Sequence, residues 1–202
     1  MRNILFVGRI EYRKGIDILL KALDEMGAAA NGITLKVIGA LYPGQEKLDD
    51  VCIKIFQDHL AQQKQKKLAY VIEYLGPIPQ KLLRQHYDWA GLLIMPSRMD
   101  NYPYVALEGR SRGCYLLASD IGGLPELLNG PASGQLFPVE NSLLLAEIIR
   151  QCREHEREIL AGLPAITERL QTDFSPDACY QILLKAYGQK ETETIPLLQT
   201  RP

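Results

Sequence analysis

The sequence lacks the features that mark several common classes of protein. Its 23 Lys and Arg residues almost balance its 24 Asp and Glu residues, and the net charge of -1 argues against nucleic acid as the main partner. No apolar run reaches the ~18 residues of a membrane span. Arg2 leads into an apolar segment too short for a secretory signal peptide. We therefore expect a cytoplasmic protein.

Paired cysteines and metal-ligand spacings are missing as well. The cysteines form no CxxC pair, and three of them lie in apolar patterns, as buried free thiols of a reducing compartment do. The three histidines have no ligand spacing and no DxD triplet occurs, so no metal site is predicted. The cysteines are Cys52, Cys114, Cys152 and Cys179.

Two phosphate-binding motifs are also absent, the GxGxxG of dinucleotide folds and the GK[ST] ending of a P-loop. In their place, the segment FVGRIEYRKG (residues 6–15) holds Arg9, Arg13 and Lys14 between two glycines. Arg9 can bind a phosphate with its planar fork, and Lys14 adds a mobile point charge. The loop is a candidate anion site, and a solvated charged turn is the alternative.

Short apolar runs alternate with helical patterns along the chain. The runs are continuous, which is typical of parallel strands covered on both faces. This alternation predicts an α/β fold with a doubly wound parallel sheet, whose ligands bind outside the carboxyl ends of the strands. The predicted strands are Asn3–Val7, Thr34–Gly39, Ala69–Leu75, Gly91–Met95, Cys114–Ser119 and, with a weaker signal, Gln135–Pro138.

The segments between the strands show helical periodicity, with apolar residues recurring at +3 and +4. No linker divides residues 1–188, so we expect one domain there, with residues 160–188 as terminal helices and residues 189–202 as a flexible tail. Asn141 is a suitable N-cap. The predicted helices are Gly15–Met26, Glu46–Lys66, Pro79–Tyr87, Tyr104–Arg112, one from after Asn141 to about His155, Leu160–Leu170 and Ser175–Tyr187, with a short one at Leu124–Leu128.

The segment after the fourth predicted strand contains a second candidate site. The strand ends at Met95, and Pro103 suits the first position of a helix because its missing N–H costs nothing there. The amides of Tyr104, Val105 and Ala106 would then point toward the crevice at the strand ends. Such a helix start binds anions readily.

Two carboxylates flank this helix start, Asp100 before it and Glu108 inside it. If phosphates occupy the amides, the carboxylates face neutral hydroxyls, so the cleft would suit a ligand that combines sugars with a diphosphate. Asp100 is equally consistent with a carboxylate favoured by the helix dipole, and Glu108 with a solvated helix residue. Gly122 and Gly123 either let a ligand approach the backbone or form a tight surface turn.

Together these segments resemble the donor-binding half of glycosyltransferase family 4, the group 1 transferases with a GT-B fold. The family has, in order, a GR…KG loop, a PS pair at a strand end, a Glu-x7-Glu element and an AS…GG-x-PE segment. The match covers about residues 3–155, and EYLGPIP at Glu73–Pro79 is similar to the strand-turn beside the nucleotide base. The matching residues are Gly8-Arg9…Lys14-Gly15, Pro96-Ser97, Asp100-x7-Glu108 and Ala118-Ser119…Gly122-Gly123-Leu124-Pro125-Glu126.

The resemblance implies a role for each position. Arg9 and Lys14 would bind the diphosphate of a nucleotide-sugar. Glu108 would accept hydrogen bonds from the ribose, and Asp100 would face the transferred sugar. Protein cations take the place of a metal, so no cofactor is expected. The remaining donor-site positions are Gly8, Ile78 near the base, Tyr104 and Val105 with their amides near phosphate, Gly122 and Gly123.

The chain departs from the family pattern where the sugar should bind. Asp100 replaces the usual Glu and is about one methylene shorter, and Pro103 stands where a glycine is usual and has no N–H to donate. Arg110 and Arg112 replace small apolar residues after Glu108; they either face solvent or belong to an interface, and we expect solvent because surface arginines are common.

The resemblance implies a retaining transfer of a hexose from a UDP- or GDP-sugar to a glycan, lipid or small-molecule acceptor, in polysaccharide or glycoconjugate synthesis. The acceptor-binding half of a GT-B enzyme is absent from this chain. We therefore expect the carboxy-terminal domain of a longer enzyme, inactive alone, whose partner is that other half. Any peripheral contact with the inner membrane face would belong to that half. Two alternatives stay open: a GT-B epimerase or hydrolase acting on a sugar nucleotide, and a degenerate nucleotide-binding module.

Overall fold

The computed structural model describes residues 1–42, 47–101, 103–128, 134–173 and 175–186. Within these ranges, six parallel strands form one sheet in the order β3-β2-β1-β4-β5-β6. The strands are β1 Asn3–Val7, β2 Thr34–Ile38, β3 Val71–Gly76, β4 Leu92–Met95, β5 Tyr115–Ser119 and β6 Gly134–Phe137. All six predicted strands are confirmed, and their ends shift by one or two residues at most.

Helices connect the strands and follow the last one. Asn141 caps the sixth helix as predicted, because its side chain accepts a hydrogen bond from the N–H of Leu144 at 2.9 Å. The described helices are α1 Ile16–Met26, α2 Lys47–Lys64, α3 Gln80–Trp89, α4 Tyr104–Ser111, α5 Leu124–Leu127, α6 Ser142–Glu154, α7 Glu156–Asp173 and α8 Pro176–Ala186. The start of α7 lies four residues before the predicted Leu160, because Glu156 and Glu158 fit the positive end of a helix dipole.

The sheet is covered on both faces, which confirms the doubly wound α/β prediction. Alternate residues of β1 enter different cores: Ile4 and Phe6 pack with α1, α2 and α6, whereas Leu5 packs with α3, α4 and α5. Every residue of β5 is buried. Burial on both faces explains why the strands read as continuous apolar runs rather than as alternating ones.

The strand order places the predicted site loops side by side. β1 pairs with β2 on one side and with β4 on the other, so the direction of winding reverses between β1 and β4. In an open parallel sheet, this switch point forms a crevice at the carboxyl ends of the strands. The loops that follow β1 and β4 both open at this crevice. The predicted tail, residues 189–202, lies outside the described residues.

Candidate functional site

Ion pairs hold the loop that follows β1. The loop contains one 3-10 turn, Tyr12–Lys14. The buried carboxylate of Glu11 forms ion pairs with Arg9 and Arg13, with each Nη2 atom 3.2 Å from Glu11 Oε1, and it also accepts a hydrogen bond from Arg13 Nε. The guanidinium of Arg9 also lies over the ring of Tyr42, 4.7 Å from its centroid. Because the Arg9 side chain is still 44% exposed, an anion can reach it.

Lys14 and Asp100 form an ion pair across the crevice. Lys14 Nζ lies 2.6 Å from Asp100 Oδ2, and the two side chains are 21% and 12% exposed. Lys14 belongs to the loop after β1 and Asp100 to the loop after β4. The structure therefore brings together two of the four residues that the sequence indicated as catalytic.

The backbones of the two loops also contact each other. Gly15 ends the 3-10 turn in the left-handed region, with φ of 69°, and a Cβ atom there would overlap the carbonyl oxygen of Pro96. The N–H of Arg98 donates to the carbonyl of Arg13 at 2.8 Å. Only glycine suits both the conformation and the approach at position 15. The ion pair between Lys14 and Asp100 thus rests on a closely packed junction.

The loop after β5 supports the loop after β4. Gly122 has φ of 52°, and a Cβ atom there would overlap the carbonyl oxygen of Asp100. The N–H of Gly123 donates to the carbonyl of Asn101 at 2.7 Å. The two glycines therefore pack against the backbone that presents the Asp100 carboxylate, and direct contact with a ligand stays a prediction.

The start of α4 differs from the prediction at one amide. Pro103 is the N-cap residue and has no side-chain acceptor, so among the described residues the amides of Tyr104 and Val105 have no capping partner. The N–H of Ala106, however, donates to the carbonyl of Pro103 at 3.0 Å, because the first turn closes tightly. Tyr104 is 76% exposed, and Val105 packs partly against the second core.

Glu108 lies between α4 and α3. Its Oε1 atom accepts a hydrogen bond from Gln80 Nε2 at 3.1 Å, and its Oε2 atom accepts one from the Tyr87 hydroxyl at 2.8 Å. Burial and this hydrogen bond raise the pKa of Tyr87, so the phenol stays protonated as a donor. Within the described residues, no hydrogen bond or ion pair joins Glu108 to Lys14 or Asp100. The carboxylate instead faces the start of α3.

The two other predicted positions lie at the strand ends. The N–H of Gly8 donates to the carbonyl of Ile38 at 2.9 Å, so Gly8 continues the pairing of β1 with β2. Ile78 follows β3 and is partly buried against the second core. Both positions lie on carboxyl-end loops, and their contacts with a nucleotide stay predictions.

Arg98 occupies the centre of the loop junction, and sequence reasoning missed it. Its side chain is 11% exposed, forms ion pairs with Asp17 at 2.6 Å and with Glu140, and lies 3.9 Å from the ring centroid of Tyr12. Burial opposes the charge, but hydrogen bonds to the two carboxylates outweigh it and raise the pKa of Arg98. The sequence feature that could have pointed to Arg98 is its position directly after the Pro96-Ser97 pair at the end of β4.

Arg110 is buried, so the expectation that it faces solvent is wrong. It is 3% exposed, and its guanidinium donates to the carbonyl of Leu127 at the end of α5. The reason is helical spacing: Arg110 lies four residues after the buried Ala106, on the same face of α4. Arg112 remains half-exposed at the end of α4 and forms an ion pair with Asp88 at 2.6 Å.

The buried thiols follow the sequence prediction. Cys52, Cys114 and Cys152 are buried and unpaired, whereas Cys179 is exposed. Burial raises the pKa of Cys152 to about 11 and of Cys52 to about 12, so these thiols are unreactive while they stay buried. In the described ranges, no group of three or more His, Cys, Asp and Glu residues is arranged to hold a metal ion. Across the same ranges, every helix is too short or too polar for a membrane span.

Comparison with protein families gives a match over most of the chain. A family profile described as "Glycosyl transferases group 1" matches residues 1–155. This range contains the loops after β1, β4 and β5 and every residue that the sequence indicated for the site. The match ends at His155, between α6 and α7.

Curated proteins of known sequence show the same relationship. The D-inositol 3-phosphate glycosyltransferase of Jonesia denitrificans is 30% identical over 187 residues, which cover 91% of this chain and 42% of that protein. The glycogen synthase of Mycobacterium tuberculosis H37Rv is 27% identical over 173 residues, covering 85% of this chain and 39% of that protein. In matches such as these, the chain spans between 31% and 43% of the length of the relative.

Solved structures share the fold at low sequence identity. HepE of Anabaena in complex with UDP-glucose has a TM-score of 0.74 and 19% identity, covering 93% of this chain and 48% of that chain. Sucrose-phosphate synthase of Thermosynechococcus elongatus has a TM-score of 0.71 and 22% identity, covering 92% of this chain and 44% of that chain. These similarities establish the fold, which is the predicted half of a GT-B architecture.

Proposed function

The chain belongs to the group 1 glycosyltransferases, and from that membership we propose that it is the donor-binding domain of a retaining hexosyltransferase. The donor is a UDP- or GDP-sugar, and the acceptor is a glycan, a lipid or a small molecule in polysaccharide or glycoconjugate synthesis. Complexes of HepE contain UDP and UDP-glucose, which supports testing uridine nucleotides first.

The ion pair between Lys14 and Asp100 is the observation on which the proposal depends. Its 2.6 Å contact places a cation and a carboxylate together at the switch point of the sheet, where ligands of such folds bind. An ammonium group has three donors, and Asp100 takes one of them. The ion pair fixes the direction of the other two N–H donors of Lys14. These donors, together with the exposed part of Arg9, would bind a diphosphate.

Transfer of the sugar breaks the bond between the anomeric carbon and the diphosphate and forms one from that carbon to an acceptor hydroxyl oxygen, whose proton is released with the nucleoside diphosphate. Negative charge grows on the departing oxygen. Lys14, Arg9 and the uncapped amides at the start of α4 would stabilise this charge without reorganising. We propose that these groups suffice without a metal ion. Asp100 would accept a hydrogen bond from a hydroxyl of the transferred sugar.

Glu108 would bind the ribose. Each oxygen of a carboxylate accepts more than one hydrogen bond, so the bonds from Gln80 and Tyr87 leave acceptor capacity for two ribose hydroxyls. Gln80 is the first residue of α3, directly after the loop that contains Ile78. The ribose would thus lie between the diphosphate and a base on that loop.

The acceptor site would lie in another domain of a longer protein. Because the chain spans less than half of its curated relatives, half of the cleft between two GT-B domains would be contributed by that domain. We expect the chain alone to bind nucleoside diphosphates weakly and to transfer no sugar. Any contact with the inner membrane face would come from the other domain.

Titration of the chain with UDP and GDP, followed by calorimetry, tests the donor site. Arg9→Ala and Glu108→Ala should each weaken binding by about tenfold, the typical effect of losing a charge-assisted hydrogen bond. Lys54→Ala is the control, because Lys54 forms an exposed ion pair on α2 with Asp58. Addition of EDTA should leave binding unchanged. Unaltered binding in both site variants would contradict the proposal and favour a degenerate module.

Transfer, epimerisation and hydrolysis would all use this donor site, so binding alone cannot distinguish them. An activity assay on the proposed longer enzyme distinguishes the three reactions. Incubation with the UDP- or GDP-sugar but no acceptor should leave the donor intact if the enzyme is a transferase. Appearance of free sugar or of an epimer at the rate expected for a catalysed reaction would replace transfer with one of the two alternatives.

A further inference from the structure

We propose that Arg98 is a positioning residue that holds Lys14 and Asp100 in the geometry a diphosphate requires. The inference rests on the proposed function for its ligand. For its geometry, it rests on the contacts of a side chain that is 11% exposed and lies under the two loops.

The guanidinium of Arg98 has no donor left for a ligand. A guanidinium has five N–H groups, and each finds an acceptor here. The Nε group donates to Glu140 Oε1. The Nη1 group donates to the carbonyl of Tyr12 at 2.7 Å and to Asp17 Oδ1 at 2.9 Å. The Nη2 group donates to Asp17 Oδ2 at 2.6 Å and to Glu140 Oε2 at 3.1 Å. Arg98 therefore acts through its neighbours and not by contact with substrate.

The acceptors come from three different segments of the chain. Tyr12 belongs to the loop after β1, Asp17 to the first turn of α1, and Glu140 to the turn before α6, while Arg98 itself follows β4. The backbone N–H of Arg98 also donates to the carbonyl of Arg13, the residue before Lys14. One side chain thus fixes the 3-10 turn that carries Lys14 relative to the loop that carries Asp100.

Lysine cannot substitute for this arginine. Lysine keeps the charge but has only three donors and no plane, so it cannot replace the five hydrogen bonds of the guanidinium, two of which go to each carboxylate. The Asp17 side chain is 17% exposed, so its charge depends on a matched partner that replaces water. We therefore expect Arg98→Lys to loosen the junction while leaving its net charge unchanged.

A double-mutant cycle measures whether Arg98 acts through Lys14. In calorimetric titrations with UDP, Lys14→Ala should weaken binding by about ten- to a hundredfold. Arg98→Lys should weaken it by about five- to tenfold alone, but by less than about twofold in the Lys14→Ala background. A residue with a merely structural role would have equal effects in both backgrounds, and that additivity would overturn the inference. Arg150→Lys on α6 is the control, since its ion pair with Glu147 is remote from the site.

A second variant covers the case in which Arg98→Lys does not fold. Asp17→Asn keeps Arg98 and its charge but replaces a carboxylate oxygen by an amide nitrogen, which cannot accept from the guanidinium. With Lys14 present, Asp17→Asn should weaken UDP binding as Arg98→Lys does. In the Lys14→Ala background, Asp17→Asn should have little further effect on UDP binding. Equal losses in the two backgrounds would contradict the inference.

Amide hydrogen exchange without nucleotide separates this inference from the proposed function. In Arg98→Lys, the amides of residues 12–15 and 98–101 should exchange about tenfold faster than in the wild type, because local opening becomes easier. Unchanged exchange in both segments would overturn the inference. If the wild type binds neither UDP nor GDP, the proposed function fails, and the exchange rates alone decide whether Arg98 positions the two loops.

Discussion

The two halves of the candidate site differ in how their charged side chains are held. The phosphate half consists of Arg9 and Lys14 together with Asp100, which is included because it forms the ion pair with Lys14. The hydroxyl half consists of Glu108 with its partners on α3. In the phosphate half, every charge contacts an opposite charge, as the pairs of Arg9 with Glu11 and of Lys14 with Asp100 demonstrate. In the hydroxyl half, the carboxylate contacts neutral donors.

This difference separates a rigid part of the site from an adaptable one. The ion pair between Lys14 and Asp100, which are 86 residues apart in the sequence, fixes the direction of the Lys14 charge before a ligand binds and so lowers the cost of ordering it. The donors to Glu108 are neutral groups, so a neutral hydroxyl of a ligand can take their place or be added to them. We expect changes that disturb the ion-paired loops of the phosphate half to cost more stability than changes to the neutral partners of Glu108.

The largest effect is expected for Gly15→Ala, which separates the loops of the phosphate half. The added Cβ atom would overlap the carbonyl of Pro96, and φ of 69° is strained for alanine. The free energy of unfolding in urea should fall by about 3–5 kcal/mol. Gly113→Ala is the control, because φ there is 83° in the left-handed turn after α4 with nothing near the Cβ atom, and its cost should be about 1–2 kcal/mol. Equal losses would show that the contact with Pro96 contributes nothing.

A smaller effect should distinguish the two carboxylates of the site. Asp100→Asn should raise the ratio of the Kd for UDP-glucose to the Kd for UDP by about tenfold, because only the first ligand carries the sugar. Glu108→Gln should weaken both ligands alike and leave the ratio within about twofold, because both carry the ribose. If GDP is the preferred nucleotide, GDP-sugars replace these ligands. An altered ratio in Glu108→Gln alone would reverse the two assignments.

Removing a hydroxyl from the hydroxyl half should have a still smaller effect. Tyr87→Phe deletes the hydrogen bond to Glu108, costing about 1 kcal/mol of unfolding free energy, and should weaken UDP binding by less than about threefold. Tyr70→Phe is a matched control: Tyr70 is also buried, and its hydroxyl donates to Asp24 at 2.9 Å, away from the site. It should show a similar loss of stability with unchanged binding. A tenfold loss of binding in Tyr87→Phe would mean that the hydroxyl half is as rigid as the phosphate half.

The labelling rates of two buried thiols compare the local stability of the two halves without any mutation, and the expected difference between them is the smallest of these effects. Cys52 contacts Asp17 beneath the phosphate half, and Cys114 contacts the carbonyl of Tyr87 beneath the hydroxyl half. Burial raises the pKa of each to about 12, so both react through local opening. In iodoacetamide labelling followed by mass spectrometry, Cys114 should react about two- to threefold faster than Cys52. The exposed Cys179 should react first and calibrates the reagent.

Most of the sheet could be predicted because burial on both faces leaves a simple pattern. The residues of β5 are all buried, and a strand of this kind reads as an unbroken apolar run in the sequence. The start of α6 was equally clear, since Asn141 is a capping residue followed by apolar periodicity. The start of α7 was predicted too late because its first turn is polar and resembles a connection.

The sequence could predict which site residues lie close together only where the order of the strands in the sheet determines it. Loops after neighbouring parallel strands share one edge of the sheet, so Lys14 and Asp100 could be expected near each other. The partners of Arg98 lie 42, 81 and 86 residues away, and no local pattern identifies such contacts. Arg110 was assigned to solvent by its charge, although its spacing from Ala106 put it on the buried face of α4.

The strand order has a consequence for how such a domain can diversify. In the sequence, the segment from β2 to α3 lies between the loop after β1 and the loop after β4. In the structure, β3 and the turn after it lie at one outer edge of the sheet, away from those two loops. Substitutions on that edge leave the charged junction between β1 and β4 untouched. If the base binds this turn, as the proposed function has it, a lineage could exchange one nucleobase for another while inheriting the same leaving-group chemistry.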